Sequence, residues 1–107
     1  MKGAKENSVL SSCLEYLQLK QIFCWRNNTG AVKIGRSFIR YGFVGSSDII
    51  GILPDGRFLA VECKRENGGV LSEQQKIFLK KIQENKGIAC VVHSVKELME
   101  VIKQEKI

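Results

Sequence analysis

Two carboxylates and an amine lie near one another in the middle of the chain. Asp48 precedes one apolar run, and Glu62 and Lys64 end the next, with Cys63 between them. Carboxylate oxygens are hard ligands of the kind that bind Mg²⁺ or Mn²⁺, and a neighbouring ammonium group stabilises negative charge that develops during a reaction. If the fold brings these side chains together, they predict a metal site with an adjacent cation.

The residues between them predict a β-hairpin that would do this. The segment 54–56, Pro-Asp-Gly, suits a type I turn, because Pro presets φ at the first central position and Gly accepts the left-handed conformation that follows. With a three-residue loop, Asp48 falls opposite Glu62, and Lys64 projects from the same face. A two-residue turn would shift the register by one residue and turn Asp48 away from Glu62.

The second strand of this hairpin is predicted to be buried on both faces. Residues 58–61 and Cys63 are apolar on either side of the strand, and Glu62 interrupts them. Charged groups at the end of such a strand usually have a partner or a function. The alternative is an ordinary hairpin end with solvated charges, which suits an arbitrary set of Asp, Glu and Lys.

These residues resemble the core motif of the PD-(D/E)XK nucleases, in which an Asp before a hairpin meets Glu-x-Lys after it. Longer segments resemble the VRR-NUC (virus-type replication-repair nuclease) branch, namely WRNNTG at 25–30, GFVGSSD at 42–48, GRFLAVECK at 56–64 and GVLSEQQ at 69–75. The resemblance covers nearly the whole chain. It implies a restriction-endonuclease-like α/β fold, with a mixed β-sheet flanked by helices in a single domain over residues 1–107.

The resemblance also implies an activity, a Mg²⁺-dependent DNA endonuclease that hydrolyses phosphodiester bonds, with Mn²⁺ able to substitute. Asp48 and Glu62 would bind the metal together with the backbone carbonyl of Cys63. Lys64 would orient the attacking water and stabilise negative charge. The thiol of Cys63 is expected to point into the core.

Two further residues occupy positions that contribute to the metal site in this family. Glu6 corresponds to a Glu of the first helix, and Gln75 corresponds to a Gln beside the metal. Each also has a structural interpretation, because the helix dipole favours a carboxylate in a first turn and because Gln75 would close a capping box with Ser72. Both interpretations stay open, and for Gln75 they are compatible.

Basic residues indicate a polyanionic partner. The formal net charge is +6, from 17 basic and 11 acidic residues. Arg36 and Arg40 are expected to share one face of a strand with Phe38, and with Arg26 and Arg65 they predict a basic rim that binds DNA. For any single Arg, a solvated strand face is the simpler explanation.

Small standalone members of the VRR-NUC branch act as homodimers on branched DNA such as four-way (Holliday) junctions, and the resemblance implies the same here. Two-fold symmetry would supply the second site that cutting two strands requires. The alternatives are a nuclease of nicked, flapped or linear DNA ends, and a non-catalytic nucleic-acid-binding module on the same fold. The intact set of Asp48, Glu62 and Lys64 argues against the second alternative.

The surrounding pattern predicts the elements that position these residues. A helix is expected over about 6–21, a second from Ser72 to Gly87, a central strand over 88–92 and a final helix after Ser94. The four cysteines form no Cys-x-x-Cys pair, which favours reduced thiols. No stretch approaches about 18 uninterrupted apolar residues, so we expect a soluble cytoplasmic protein with no membrane partner.

Overall fold

A computed structural model describes residues 5–107 of the chain. In that part of the chain three helices and six strands follow one another. Their bounds are α1 (Glu6–Leu19), β1 (Phe23–Arg26), β2 (Gly30–Ile34), β3 (Ser37–Tyr41), β4 (Ile49–Ile52), β5 (Phe58–Cys63), α2 (Glu73–Glu84), β6 (Ile88–Val92) and α3 (Val95–Gln104).

Four of the strands form the main sheet, in the order β1-β4-β5-β6. β1, β4 and β5 pair antiparallel, whereas β5 and β6 pair parallel. A parallel pair needs a crossover connection, which α2 provides between β5 and β6. The sheet is therefore mixed and flanked by helices, and the predicted α/β class is confirmed.

Helices cover both faces of this sheet. On one face α1 and α3 enclose a core that includes Leu10, Leu17, Leu59, Leu98 and Ile102. On the other face α2 packs Leu79 against Ile50 and Ala60. β5 lies between these layers, and its residues after Phe58 are all buried. The prediction of a strand buried on both faces is confirmed.

The hairpin that joins β4 to β5 has the predicted three-residue loop. The Leu53 N–H donates to the Arg57 carbonyl at 2.8 Å. Gly56 has φ 91°, a backbone conformation that residues other than Gly seldom adopt. Ile49 pairs with Val61, so the register continues toward Asp48 opposite Glu62. The alternative register, with a two-residue turn, is not the one that forms.

β6 was expected to be central because it is apolar, and that expectation is wrong: it is the last strand of the sheet. Both of its faces are nonetheless covered, since it packs against α2 on one side and α3 on the other. An edge strand with helices on both of its faces needs the same apolar composition as a central strand whose faces are covered in the same way. Composition therefore reports covered faces and does not report the position of a strand in the sheet.

β2 and β3 form a separate two-stranded hairpin with a turn at Gly35 and Arg36. Arg36 was expected to share a strand face with Phe38 and Arg40. It lies in the turn instead, because Ile34 pairs with Ser37 and leaves only two residues for the connection. Phe38 and Arg40, two residues apart on β3, do share a face.

Two further sequence predictions concern composition. The four cysteines are free thiols, as predicted. Across residues 5–107, no helix combines the length and the apolar character that a membrane span requires.

Candidate active site

Asp48 and Glu62 meet at one end of the β4–β5 hairpin. Asp48 is the residue before β4, and Glu62 is the last residue but one of β5. Asp48 Oδ2 accepts a hydrogen bond of 2.8 Å from the Cys63 N–H, which orients the Asp48 carboxylate along β5. The two carboxyl groups are close enough to share a hydrogen bond when one of them is protonated. The predicted pair is therefore formed.

The surroundings of Glu62 disfavour the charged form of its carboxyl group. Its side chain is buried, with only 1% of the residue exposed. The pKa of Glu62 is raised to about 8, mainly by burial and then by the adjacent Asp48, whereas the Lys64 ammonium acts in the opposite direction. Glu62 Oε1 is buried, and within residues 5–107 no N–H or O–H group donates to it. A buried carboxylate oxygen without a partner is costly, so this atom is poised to bind a cation.

Lys64 and Gln75 hold the other oxygen of Glu62. Lys64 Nζ lies 3.7 Å from Glu62 Oε2, and Gln75 Nε2 donates to the same oxygen at 3.1 Å. Gln75 Oε1 in turn accepts a hydrogen bond of 3.3 Å from Lys64 Nζ. The three side chains form a closed triangle of contacts, which leaves Glu62 Oε1 as the oxygen directed elsewhere.

Gln75 forms the predicted capping box and also lies beside Glu62. It is the third residue of α2, where the Gln75 N–H donates to Ser72 Oγ at 3.1 Å and the Ser72 N–H donates to Gln75 Oε1 at 2.9 Å. This is the predicted capping box. The same Oε1 also receives the Lys64 ammonium, so the cap that begins α2 fixes the side chain beside Glu62.

Glu6 lies in the first turn of α1 and is exposed. Its charge reaches the pair, because it contributes to the raised pKa of Glu62. Among residues 5–107, no three His, Cys, Asp or Glu side chains converge as a ready ligand group. Asp48 and Glu62 thus face each other as two carboxylates, and Glu6 stands outside hydrogen-bonding contact with them.

A hard divalent cation fits this pair. Mg²⁺ is typically held by one or two carboxylates and completes its coordination with water and substrate phosphate, so a third protein carboxylate is not required. Glu62 Oε1, which receives no donor from residues 5–107, would offer one ligand, and Asp48 would offer a second. The Cys63 thiol is turned into the core against Cys13 and leaves only its backbone for the site.

The raised pKa of Glu62 predicts how stability depends on pH in the metal-free protein. The folded protein keeps the Glu62 proton up to about pH 8, whereas the unfolded chain releases it near the ordinary value of 4.5. Between these values the folded state binds more protons, so the free energy of unfolding falls as pH rises. We expect a loss of a few kcal/mol between about pH 5 and about pH 8 in EDTA.

Urea unfolding of the wild type and of Glu62→Gln at several pH values measures this difference. The Gln variant should lack this part of the pH dependence, and the other titrating groups cancel in the comparison. Added Mg²⁺ should restore the stability of the wild type at pH 8 and leave Glu62→Gln unchanged. Parallel pH profiles for the two proteins would show that Glu62 is not the destabilised group.

Asn27 is a residue of this site to which the sequence assigned no role. Its side chain donates to Ser46 Oγ at 2.6 Å and to the Ser47 carbonyl at 3.0 Å, and its N–H donates to the Asp48 carbonyl at 2.7 Å. Asn27 therefore holds three consecutive residues that end in Asp48. The polar segment Arg-Asn-Asn-Thr-Gly was a signal of a hydrogen-bonding loop, but its partners depend on the pairing of β1 with β4.

Gly45 adds a second restraint on the same loop. A Cβ on Gly45 would lie 2.6 Å from the Gln74 carbonyl oxygen, and its φ is 86°. Only Gly allows the loop before Asp48 to approach the first turn of α2 this closely. The loop that carries Asp48 and the helix that carries Gln75 are thus in contact.

The predicted DNA-binding arginines are all exposed. Arg26 ends β1, Arg40 lies on β3, Arg36 lies in the β2–β3 turn and Arg65 follows Lys64. They are distributed over the β2–β3 hairpin and the end of the sheet where Asp48 and Glu62 lie. This placement is compatible with a basic rim around the site.

Comparison with known proteins identifies one family. The family model described as the VRR-NUC domain matches residues 4–96, which is nearly the whole chain. No curated protein matches it.

Proposed function

Because the chain belongs to the VRR-NUC domain family, we propose that it is a divalent-metal-dependent deoxyribonuclease. The family indicates a nuclease of the PD-(D/E)XK type. The observation that supports metal dependence is the buried Glu62, whose Oε1 receives no hydrogen bond from the described part of the chain and whose pKa is raised to about 8 beside Asp48. A site built for protein interactions alone has no reason to bury such a group.

Hydrolysis of a phosphodiester requires an activated water and positive charge against the phosphate. A bound divalent cation supplies both, since it makes water more acidic and neutralises charge on the phosphate. Asp48 and Glu62 would hold that cation, with the Cys63 carbonyl as a further oxygen. The Cys63 N–H fixes Asp48 Oδ2, so the other Asp48 oxygen is the one available for coordination.

Lys64 would act on the substrate side of the carboxylates. Its ammonium is held near Glu62 Oε2 by Gln75, with only 7% of the residue exposed. From this position it would orient the attacking water and stabilise the charge that develops on the phosphate. Lys64 Nζ donates to Gln75 Oε1 at 3.3 Å and lies 3.7 Å from Glu62 Oε2, so an ammonium with three N–H donors would keep one for substrate.

Asn27 would set the position of Asp48, which gives a test that is independent of the carboxylates. Asn27→Ala removes the donors to Ser46 and Ser47, so we expect single-turnover cleavage to fall by roughly 10- to 100-fold, with a higher Mg²⁺ concentration needed for half-maximal rate. Its neighbour Asn28 is exposed, and Asn28→Ala is the matched control with a rate near that of the wild type. If the cleavage rate of Asn27→Ala depended on Mg²⁺ concentration as that of the wild type does, Asn27 would not have this role.

We further propose that the substrate is branched DNA and that the protein acts as a homodimer. One chain has one Asp48–Glu62 site, whereas resolving a four-way junction requires two cuts placed symmetrically. A two-fold dimer provides this geometry if both sites open on one side and the basic rim lies between them.

Cleavage of labelled four-way, flapped and linear DNA in Mg²⁺ tests the substrate. We expect a preference for the four-way junction of roughly tenfold or more, and binding that weakens steeply as the salt concentration rises. Equal cleavage of linear DNA would leave the nuclease chemistry standing and remove the junction preference. Binding without any cleavage would support the non-catalytic module.

A further inference from the structure

The hairpin of β2 and β3 is amphipathic and stands apart from the main sheet. Residues paired across the hairpin share a face, and this places its β-branched residues and Tyr41 on one side. We call this side the hairpin face: Val32, Ile34, Ile39 and Tyr41. Each of these side chains is about half exposed. Two-stranded hairpins are marginally stable in water on their own, so an uncovered apolar face on such a hairpin indicates a missing partner surface.

The opposite side of the same hairpin has a different chemistry. It carries Lys33 and Arg40, together with Phe38, which pairs with Lys33 across the hairpin. Phosphate groups are attracted to cations, so DNA suits this side and does not suit the hairpin face. The partner of the hairpin face is therefore an apolar protein surface.

The main sheet exposes an apolar surface of matching kind. Phe23 pairs with Ile52, and Ile52 pairs with Phe58, which makes one row across three strands. Trp25 joins this row, with its ring centroid 5.4 Å from that of Phe23. We call these four residues the sheet patch: Phe23, Trp25, Ile52 and Phe58. α2 covers the neighbouring Ile50 and Ala60 on the same face, and the four residues of the patch remain exposed.

We propose that the hairpin face of one copy packs on the sheet patch of a second copy, and the reverse by two-fold symmetry. Each surface offers roughly 400 Å² of exposed apolar area, so the two together give roughly 800 Å² per protomer, the size of a standard stable interface. Two β faces pack readily against each other because their side chains interdigitate. The cationic side of the hairpin stays outward in this arrangement.

This inference names the surface of the dimer proposed above and rests on that proposal only for its use on DNA. Phe23, Ile52 and Phe58 lie at the end of β4 remote from Asp48, and Trp25 lies opposite Ile50, nearer to it. A groove between Phe43 and Phe78 is another uncovered apolar surface. Its two rings contact each other, with centroids 5.8 Å apart, and a substitution in this groove tests whether it takes part in the dimer contact.

Sedimentation velocity without DNA or Mg²⁺ tests the surface through single Asp substitutions. From about 1 to about 100 µM we expect the wild type to be a dimer, and Ile39→Asp and Phe23→Asp to be monomers with at least roughly 100-fold weaker association. The matched control is Phe38→Asp, one residue along β3 on the opposite side, and Ile77→Asp is the control for the groove. Both controls should remain dimers.

Trp25 reports the same contact from the other surface, because it is the single Trp of the chain and lies in the sheet patch. Its emission should shift to shorter wavelength as the wild-type concentration rises, and should not shift in Ile39→Asp, although that change is on the hairpin. β2 and β3 pair with each other and not with the main sheet, so Ile39→Asp should leave its circular dichroism near that of the wild type.

Three results would overturn the proposal: a wild-type monomer at about 100 µM, a dimer that survives Ile39→Asp, or a Trp25 shift that appears only when DNA is added. Failure of the nuclease proposal has a different appearance. A flapped DNA needs only one cut, so monomeric Ile39→Asp should still cleave it. A wild type that is dimeric but does not cleave flapped DNA would count against the nuclease chemistry and not against this interface.

Discussion

Replacing Glu62 by Gln is expected to abolish cleavage and to make the metal-free protein more stable. The amide keeps the size of the side chain and removes the charge that would bind the cation at Oε1. We expect the single-turnover rate to fall by roughly 10³-fold or more. The free energy of unfolding at pH 8 should rise in EDTA, because the folded protein no longer carries a buried carboxylate beside Asp48.

Asp48→Asn should reduce cleavage in the same way, since Asp48 is the other carboxylate of the pair. The matched control is Glu73→Gln in the first turn of α2, an exposed carboxylate that pairs with Lys76 at 3.2 Å. Its rate should stay within about twofold of the wild type, because exposed ion pairs contribute little. Cleavage by either site variant at a rate near that of the wild type would contradict the assignment of the pair.

Lys64→Met should separate catalysis from binding. The variant keeps the length of the side chain and loses the ammonium that would face the phosphate. We expect single-turnover cleavage to fall by roughly two orders of magnitude or more, while DNA binding weakens far less. The adjacent Arg65 is exposed, and Arg65→Ala should do the reverse, weakening binding and lowering its salt dependence with a smaller effect on the rate at saturating protein.

The relation between the two measurements decides the role of Lys64. If binding by Lys64→Met fell as much as its rate, Lys64 would be a phosphate anchor and not a transition-state contact. Removing the amine also leaves Glu62 without its nearest positive charge, so unfolding of the variant should be measured alongside to show that the fold is retained.

The central hairpin could be predicted from the sequence because its determinants are local. Pro-Asp-Gly at 54–56 selects the loop, the loop sets the register, and the register places Asp48 opposite Glu62. The same holds for Gln75, whose distance from Ser72 in the chain is that of a capping box. Its second contact, with Lys64, could be anticipated only from the resemblance to a family.

The remaining features depend on contacts between distant segments. Asn27 reaches Ser46 across β1 and β4, which no local pattern specifies. The position of β6 at the end of the sheet follows from the strand order, which its apolar composition does not determine. The isolation of the β2–β3 hairpin is likewise a property of the assembled fold, since its alternation would suit a strand of the main sheet equally well.

Mg²⁺-dependent cleavage by the wild type, measured beside Glu62→Gln on the same labelled four-way and flapped DNA, tests the central claim most directly. We predict products that appear with Mg²⁺ or Mn²⁺, disappear in EDTA, and are absent from Glu62→Gln at every Mg²⁺ concentration, while both proteins bind the DNA. Cleavage that persists in EDTA or in Glu62→Gln, or binding by the wild type without cleavage under any of these conditions, would contradict the assignment of Asp48, Glu62 and Lys64 as a metal-dependent nuclease site.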